Sequence, residues 1–254
     1  MIKNYIYNNY NTLNFYLKHI RQIFNLINKG IKVLNYKLCS EVLIDNIYFK
    51  YNDFLPSGKG MIIDIGSQYG DYAIACNKLY NCDYVLAFEP LEDNYKIALW
   101  NKRLSKAEFD ILNYAVSDTP VFGEKKYNMF VVNNSIIPDN ITTITLDSLI
   151  KALEYITNVN IDIIKIDVEG FEMNVLYASE YTIKKYKPKI IIETHSINLF
   201  YEVRDFLTNI GYELKHRDYK SSEYSNNFYI LYSNTYYFFN TNINENNCEY
   251  NINY

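Results

Sequence analysis

Five short stretches place an acid where chemistry is possible: Asp64 ahead of Gly66-Ser67-Gln68-Tyr69-Gly70, Glu89-Pro90, Ser117-Asp118, Asp167-Val168-Glu169-Gly170 and Glu193-Thr194-His195. Four of them directly follow a short apolar run, and Ser117-Asp118 closes the third such unit. In an open parallel sheet the residues just past the carboxyl ends of the strands line the ligand crevice. Carboxylates there can accept from hydroxyl and ammonium groups, take up a proton or coordinate a cation.

The first turn invites two cofactor readings. A dinucleotide fingerprint needs G-x-G-x-x-G, whose middle glycine lets the backbone approach a pyrophosphate. Here Ser67-Gln68-Tyr69 fill the space between Gly66 and Gly70, and Asp64 would repel that anion. S-adenosylmethionine suits the turn better: it has no phosphate, and its ammonium and sulfonium groups are cationic. Asp64 would accept from the ammonium, while the glycines let the chain pass close to the ligand. Glu89 would accept both ribose hydroxyls, a role equally suited to a nicotinamide cofactor. Ser117 and Asp118 would meet the adenine amine, or Asp118 would simply shape a turn.

The remaining motifs bear on the reaction. Asp167 and Glu169 leave one strand on the same side by the period of two, and Glu193 and His195 leave the next likewise. If S-adenosylmethionine is the ligand, a methyl acceptor must be positioned, and an acceptor hydroxyl would also need its proton removed. His195, with an ordinary pKa of roughly 6.5, is a candidate general base; the alternative is that it hydrogen-bonds Asp167 or Glu193 and holds the loop. A third option is a divalent ion on Asp167, Glu169 and Glu193, although spacing alone assigns no metal ligand. Glu172 reads as a solvated or capping acid.

The elements that position these residues are legible as alternation. Met61–Ile65, Tyr84–Phe88, Phe109–Asn113, Ile161–Ile166 and Lys189–Glu193 are short apolar runs, most followed by segments of helical periodicity. That order argues for β-α-β units, a parallel sheet and an α/β fold. Phe130–Val132 and Ile141–Leu146 are expected to form a hairpin, with Asp147-Ser148 capping the next helix. Tyr212–Lys215 and Asn227–Tyr232 are expected to close the sheet as an antiparallel pair. Upstream, Leu13, Leu17, Ile20, Phe24 and Ile27 give Thr12–Asn28 an amphipathic face expected to pack on the main domain, and residues 41–55 read as one or two strands.

Composition sets limits. With 254 residues and 49% hydrophobic content the chain can bury a real core. Every apolar run is too short for a membrane span. A net charge of −4 lacks the footprint of a nucleic-acid binder, and the Lys184, Lys185, Lys187, Lys189 cluster reads as a solvated helix end. The 4 cysteines show neither zinc nor disulfide spacing, so a cytoplasmic protein with reduced thiols is expected. The 28 tyrosines follow codon bias and do not mark a site, whereas glycine, at only 8, clusters around the first turn.

Taken in order, D-I-G-S-Q-Y-G-D-Y (64–72), A-F-E-P (87–90), A-L-W-N (98–101), A-V-S-D (115–118), T-L-D-S-L (145–149), I-K-I-D-V-E-G-F-E (164–172) and I-I-I-E-T-H (190–195) resemble the FkbM-type S-adenosylmethionine-dependent methyltransferases. The resemblance covers roughly residues 58–235. It implies a class I methyltransferase (Rossmann-like) three-layer sandwich, with a seven-stranded, mostly parallel sheet and an antiparallel terminal strand. It also implies methyl transfer to a hydroxyl of a saccharide or small metabolite. Carried over by position, Asp64, Gly66, Ser67 and Gly70 fall at the methionine end of the cofactor, Glu89 at the ribose, and Ser117 and Asp118 at the adenine. Ser67-Gln68 stand where the family commonly has Ala-Asn. The expected organisation is an N-terminal extension over 1–57, the methyltransferase domain over 58–235 and an Asn-rich flexible tail over 236–254. An oxidoreductase on a doubly wound sheet, or a binding module without turnover, are the alternatives.

Overall fold

The computed structural model describes residues 2–82, 84–119, 123–126, 129–132, 141–219 and 234–241. A long helix, α1 (Ile2–Asn28), and the short α2 (Ser40–Leu43) precede β1 (Met61–Ile65), α3 (Asp71–Tyr80), β2 (Val85–Phe88), α4 (Glu92–Ser105) and β3 (Asp110–Leu112). Short strands follow: β4 (Ala115–Val116), β5 (Gly123–Lys126), β6 (Met129–Val132) and β7 (Thr143–Ile144). The chain continues through α5 (Leu146–Glu154), β8 (Ile161–Ile166), α6 (Glu172–Tyr177), α7 (Glu180–Tyr186), β9 (Lys189–Thr194), α8 (Ile197–Asn209), β10 (Tyr212–Tyr219) and β11 (Asn234–Asn240).

The main sheet has seven strands in the order β10-β11-β9-β8-β1-β2-β3. Five run parallel, and β11 runs antiparallel to both β9 and β10. The order reverses between β1 and β8, which makes that junction the switch point. Because side chains alternate, Ile62, Ala87, Ile163 and Ile191 face one layer, formed by α3, α4 and the segment from Ile23 to Phe54. Ile63, Ile65, Phe88, Ile164, Ile166, Ile190 and Ile192 face the other, formed by α5 to α8. Both faces are covered, so these strands read as unbroken apolar runs, and each buried Ile contributes about 1.5–3 kcal/mol.

Lys165 shares its parity with Ile163 in β8, and Glu193 shares its own with Ile191 in β9. Both therefore face the layer built by the N-terminal segment. That segment is tied down by specific bonds. Lys32 N and Leu34 N donate to Ser105 Oγ (2.9 Å) and Asn101 Oδ1 (2.8 Å) of α4, and Tyr237 of β11 donates to Ile47 O (2.7 Å).

Several expectations are corrected. Residues 41–55 carry no strand: β-branched composition suggested one, but the chain there forms α2 and a single 3-10 turn (Asn52–Phe54) packed onto the finished sheet. In α1 the expected apolar face is turned outward, with Leu13, Leu17, Ile20 and Phe24 exposed. Ile23 and Leu26, on a neighbouring face, are the residues that enter the core. Phe130–Val132 pairs with β5 instead of with the 141–146 run, and Thr143-Ile144 pairs in parallel with Ala115-Val116. Thr145, not Asp147, caps α5, accepting from Ser148 N at 3.2 Å. Asp147 instead accepts from Tyr181 N and Thr182 N and fastens α7. Asn227–Tyr232 and residues 242–254 lie outside the described residues; the strand that pairs with β10 is Asn234–Asn240.

Candidate active site

A cleft of about 710 Å³ opens at the carboxyl ends of β1, β2, β8 and β9. The first turn forms one wall. Gly66 and Ser67 donate backbone N–H groups to Phe88 O (3.0 and 2.9 Å), and Lys165 Nζ donates to Gly66 O (2.8 Å). Gly66 has φ +79°, and a Cβ there would fall 1.8 Å from Asp167 O, so only glycine lets the β1 and β8 turns touch. Glu89 reaches into the same wall. Its carboxylate accepts from Gln68 N (2.9 Å) and Leu91 N (2.9 Å) and still has lone pairs to offer. Burial pushes its pKa up to about 7, against the opposing pull of those N–H groups, Asn94 and the charge of Lys165.

The opposite wall is a cluster around one imidazole. His195 Nδ1 lies 2.8 Å from Glu172 Oε1, and Nε2 lies 3.2 Å from Glu169 Oε2, 3.7 Å from Asp167 Oδ1 and 3.9 Å from Glu193 Oε1. Glu169 is held at φ +54°, just before Gly170 at φ +103°. Such a left-handed pair re-aims the chain at the strand end, and a non-glycine residue there is strained. Tyr48, from the N-terminal segment, places its hydroxyl 2.7 Å from Asp167 Oδ2 and 3.1 Å from Glu193 Oε2. Burial works against charge on the His195 ring, but the Glu172 hydrogen bond and the charges of Glu169, Glu172 and Asp167 outweigh it and raise its pKa to about 9. The ring is therefore protonated near neutrality, unlike the free base expected from its ordinary pKa. Burial, with neighbouring acids, likewise raises Glu169 to about 7 although His195 opposes it.

The structure brings Gly66, Ser67, Glu89, Asp167, Glu169 and His195 together on the cleft, while Asp64, Gly70, Ser117 and Asp118 do not line it. Asp64 is fully buried behind the turn, 3.1 Å from Lys165 Nζ. It thus acts on the turn through Lys165, which also holds Gly66 O. Gly70 begins α3, and its Cα face packs against Ala98 and Phe109. Ser117 donates to Thr119 O (2.7 Å) within a turn, Asp118 is exposed, and Tyr114, Ala115 and Val116 line that end of the cleft instead. Glu172, read as a solvated or capping acid, is fully buried, and its Oε1 accepts from Gly170 N (3.1 Å) at the start of α6. Lys165 carried a signal, a cation between two isoleucines deep in β8. Tyr48 carried none, being one tyrosine among 28. The Lys184–Lys189 cluster is a helix end paired to acids, Lys184 to Glu180, Lys185 to Glu154 and Lys189 to Asp162.

A seven-stranded sheet with one reversed strand near its end, and an acid-lined cleft at the switch point, define the class I methyltransferase fold. The methyltransferase FkbM domain model matches residues 64–214, and the chain belongs to that family. Among solved structures, the chain is similar to a methyltransferase FkbM from Methylobacillus flagellatus KT, at 15% identity and a TM-score of 0.51, covering 88% of this chain and 60% of that one. It is also similar to a precorrin-6y C5,15-methyltransferase from Geobacter metallireducens GS-15 (11% identity, TM-score 0.44, 72% of this chain and 80% of that one). A third is the M. capricolum TrmK complex with S-adenosyl-homocysteine (14%, 0.44, 72% and 62%). No curated protein matches the sequence.

Proposed function

We propose that this FkbM-family chain uses S-adenosylmethionine to methylate a hydroxyl group of a saccharide or small metabolite. The observation that carries the cofactor reading is Glu89: a buried carboxylate at the end of β2, fixed by two backbone N–H groups, facing the cleft beside the Gly66 turn. It has the chemistry to accept two ribose hydroxyls. Gly66 and Ser67 would take the methionine end, with Asp64 and Lys165 holding the turn from behind, and Tyr114–Val116 together with Ser117 and Asp118 would bound the adenine end.

With the cofactor so placed, its methyl group would face the wall of Asp167, Glu169 and His195. When bound it would supply an electrophilic methyl for in-line displacement by an acceptor oxygen, with S-adenosylhomocysteine as the leaving group. Most of the rate then comes from positioning. Asp167 and Glu169 accept from acceptor hydroxyls and take up the proton released, while His195 holds them in register. Phe171, Val168 and Val175 supply apolar lining that limits water. Calorimetry with S-adenosylhomocysteine tests the cofactor half directly. Binding at one site per chain is expected; absence of any heat and of any thermal stabilisation defeats the reading.

A further inference from the structure

We propose that Asp167 Oδ1, Glu193 Oε1 and His195 Nε2 bind one divalent first-row metal ion, Mn²⁺ being the best match. The three residues each offer a ligand atom, all within 4.8 Å of one another. Donors sharing an ion at roughly 2.1–2.2 Å sit about 3.0–3.5 Å apart, so His195 Nε2, at 3.7 Å from Asp167 Oδ1 and 3.9 Å from Glu193 Oε1, closes by a few tenths of an ångström, and the widest pair, at up to 4.8 Å, by about 1 Å.

What separates this cluster from a patch of acids is that each ligand's other atom is already held. The Tyr48 hydroxyl sits on the outer oxygens Asp167 Oδ2 and Glu193 Oε2, which leaves Oδ1 and Oε1 facing inward. Glu172 Oε1 accepts from His195 Nδ1 at 2.8 Å, which fixes that nitrogen as the donor and aims Nε2 at the same point, where a bound cation would take the place of the Nε2 proton. A carboxylate behind a histidine is the usual outer-shell support of a metal-bound imidazole. Independently, Glu172 is fully buried, and its Oε2 has no hydrogen-bond partner. A carboxylate left in that state gains from positive charge beyond the imidazole it touches. Four carboxylates, Asp167, Glu169, Glu172 and Glu193, surround one imidazole; Tyr48 has a single proton for two of them, and the Lys165 ammonium, 4.0 Å from Asp167 Oδ2, lies closer to Asp64 at 3.1 Å. A divalent cation supplies the missing charge.

Two carboxylates with one imidazole suit Mn²⁺, a hard ion that matches the carboxylates and also takes a histidine nitrogen, over Ca²⁺ or Mg²⁺, which favour all-oxygen sets. Three protein donors leave positions open toward the cleft. An acceptor presenting adjacent hydroxyls can occupy them, and a metal-bound hydroxyl loses its proton more readily. That proton passes to Glu169, the oxygen attacks the methyl carbon, and the carbon–sulfur electron pair stays on the departing thioether. This use of the ion rests on the methyl-transfer reading; the binding of the ion does not.

The test is a Mn²⁺ titration of the full, EDTA-stripped chain followed by electron paramagnetic resonance, with and without S-adenosylhomocysteine. One saturable site per chain is expected. His195→Gln is expected to abolish it and Glu172→Gln to weaken it by about tenfold to a hundredfold, with circular dichroism verifying that both variants are folded. No saturable uptake under either condition, or uptake unchanged in folded His195→Gln, overturns the assignment. Calorimetry of S-adenosylhomocysteine on the same samples separates the two readings: cofactor binding without metal defeats this inference alone, and metal binding without cofactor defeats the proposed function alone.

Discussion

The two walls of the cleft are built on different principles. The cofactor wall is local. Gly66, Ser67, Gln68 and Glu89 come from two adjacent parallel strands, and backbone N–H groups do most of the holding. The acceptor wall is assembled from distant parts, with Tyr48 meeting Asp167 and Glu193 across 119 and 145 residues. Its groups are mostly charged side chains held by other side chains. A backbone-made wall tolerates changes in side chains and suits a constant ligand. A side-chain-made wall changes with single substitutions and suits an acceptor that differs between relatives.

The largest expected effect joins the two walls. Gly66→Ala puts a Cβ into the Asp167 carbonyl and forces a positive φ on alanine, so a loss of about 3 kcal/mol or more is expected in denaturant unfolding. A variant of wild-type stability would show that the walls do not touch as described. Next, Glu89→Gln removes a charged acceptor from the cofactor wall alone. S-adenosylhomocysteine affinity should fall about tenfold to a hundredfold by calorimetry, with stability nearly kept. Tyr48→Phe is the mirror experiment: it loosens Asp167 and Glu193 and should lower kcat by about tenfold, within the usual worth of positioned acid–base groups, while cofactor affinity stays. If Tyr48→Phe weakens the cofactor instead, the walls are not separable.

The smallest effect is a slope. Burial has raised Glu89 to about 7, against its backbone donors and Lys165. Ribose hydroxyls need the ionised carboxylate, so below that pH each binding event must first expel a proton. S-adenosylhomocysteine affinity should be flat above about pH 7 and fall by up to tenfold per unit below it, with the Glu89→Gln variant lacking that slope. A wild-type profile level down to pH 5 would contradict the role.

Much of this contrast was already visible in the residues, and the reasons are physical. The inner parallel strands β1, β2, β8 and β9 are covered on both faces, so their sequences are dominated by Ile, Val, Leu and Phe, and the acids near their ends stand out. Strand pairing was less legible where the strands are short. Phe130–Val132 fits two partners by pattern, and only the fold shows that β5 takes it. The helical form of Ser40–Leu43 goes with burial of Val42 and Leu43 in the layer that covers one sheet face, a tertiary contact that no local propensity encodes. Within the site, parity placed Asp167, Glu193 and His195 correctly. The burial of Glu172 and the arrival of Tyr48 depend on contacts far apart in the chain that no residue type or spacing announces, and the charge of Lys165 in β8 marks a buried partner without naming Asp64.

The reach of Tyr48 has a consequence for how the molecule is made. A ribosome delivers the N-terminal segment first, long before β8 and β9 exist to receive it. Until then Tyr48 has neither carboxylate to bind, and the surface destined for the inner layer has no sheet to cover. Glu89 can meet the Gly66 turn once β1, β2 and the intervening helix have emerged; Lys165, which holds Gly66 O from behind, arrives only with β8, and the opposite wall must wait until synthesis has passed Glu193. Nascent chains halted before β8 would carry half a cleft, with its first turn unsupported and nothing facing it.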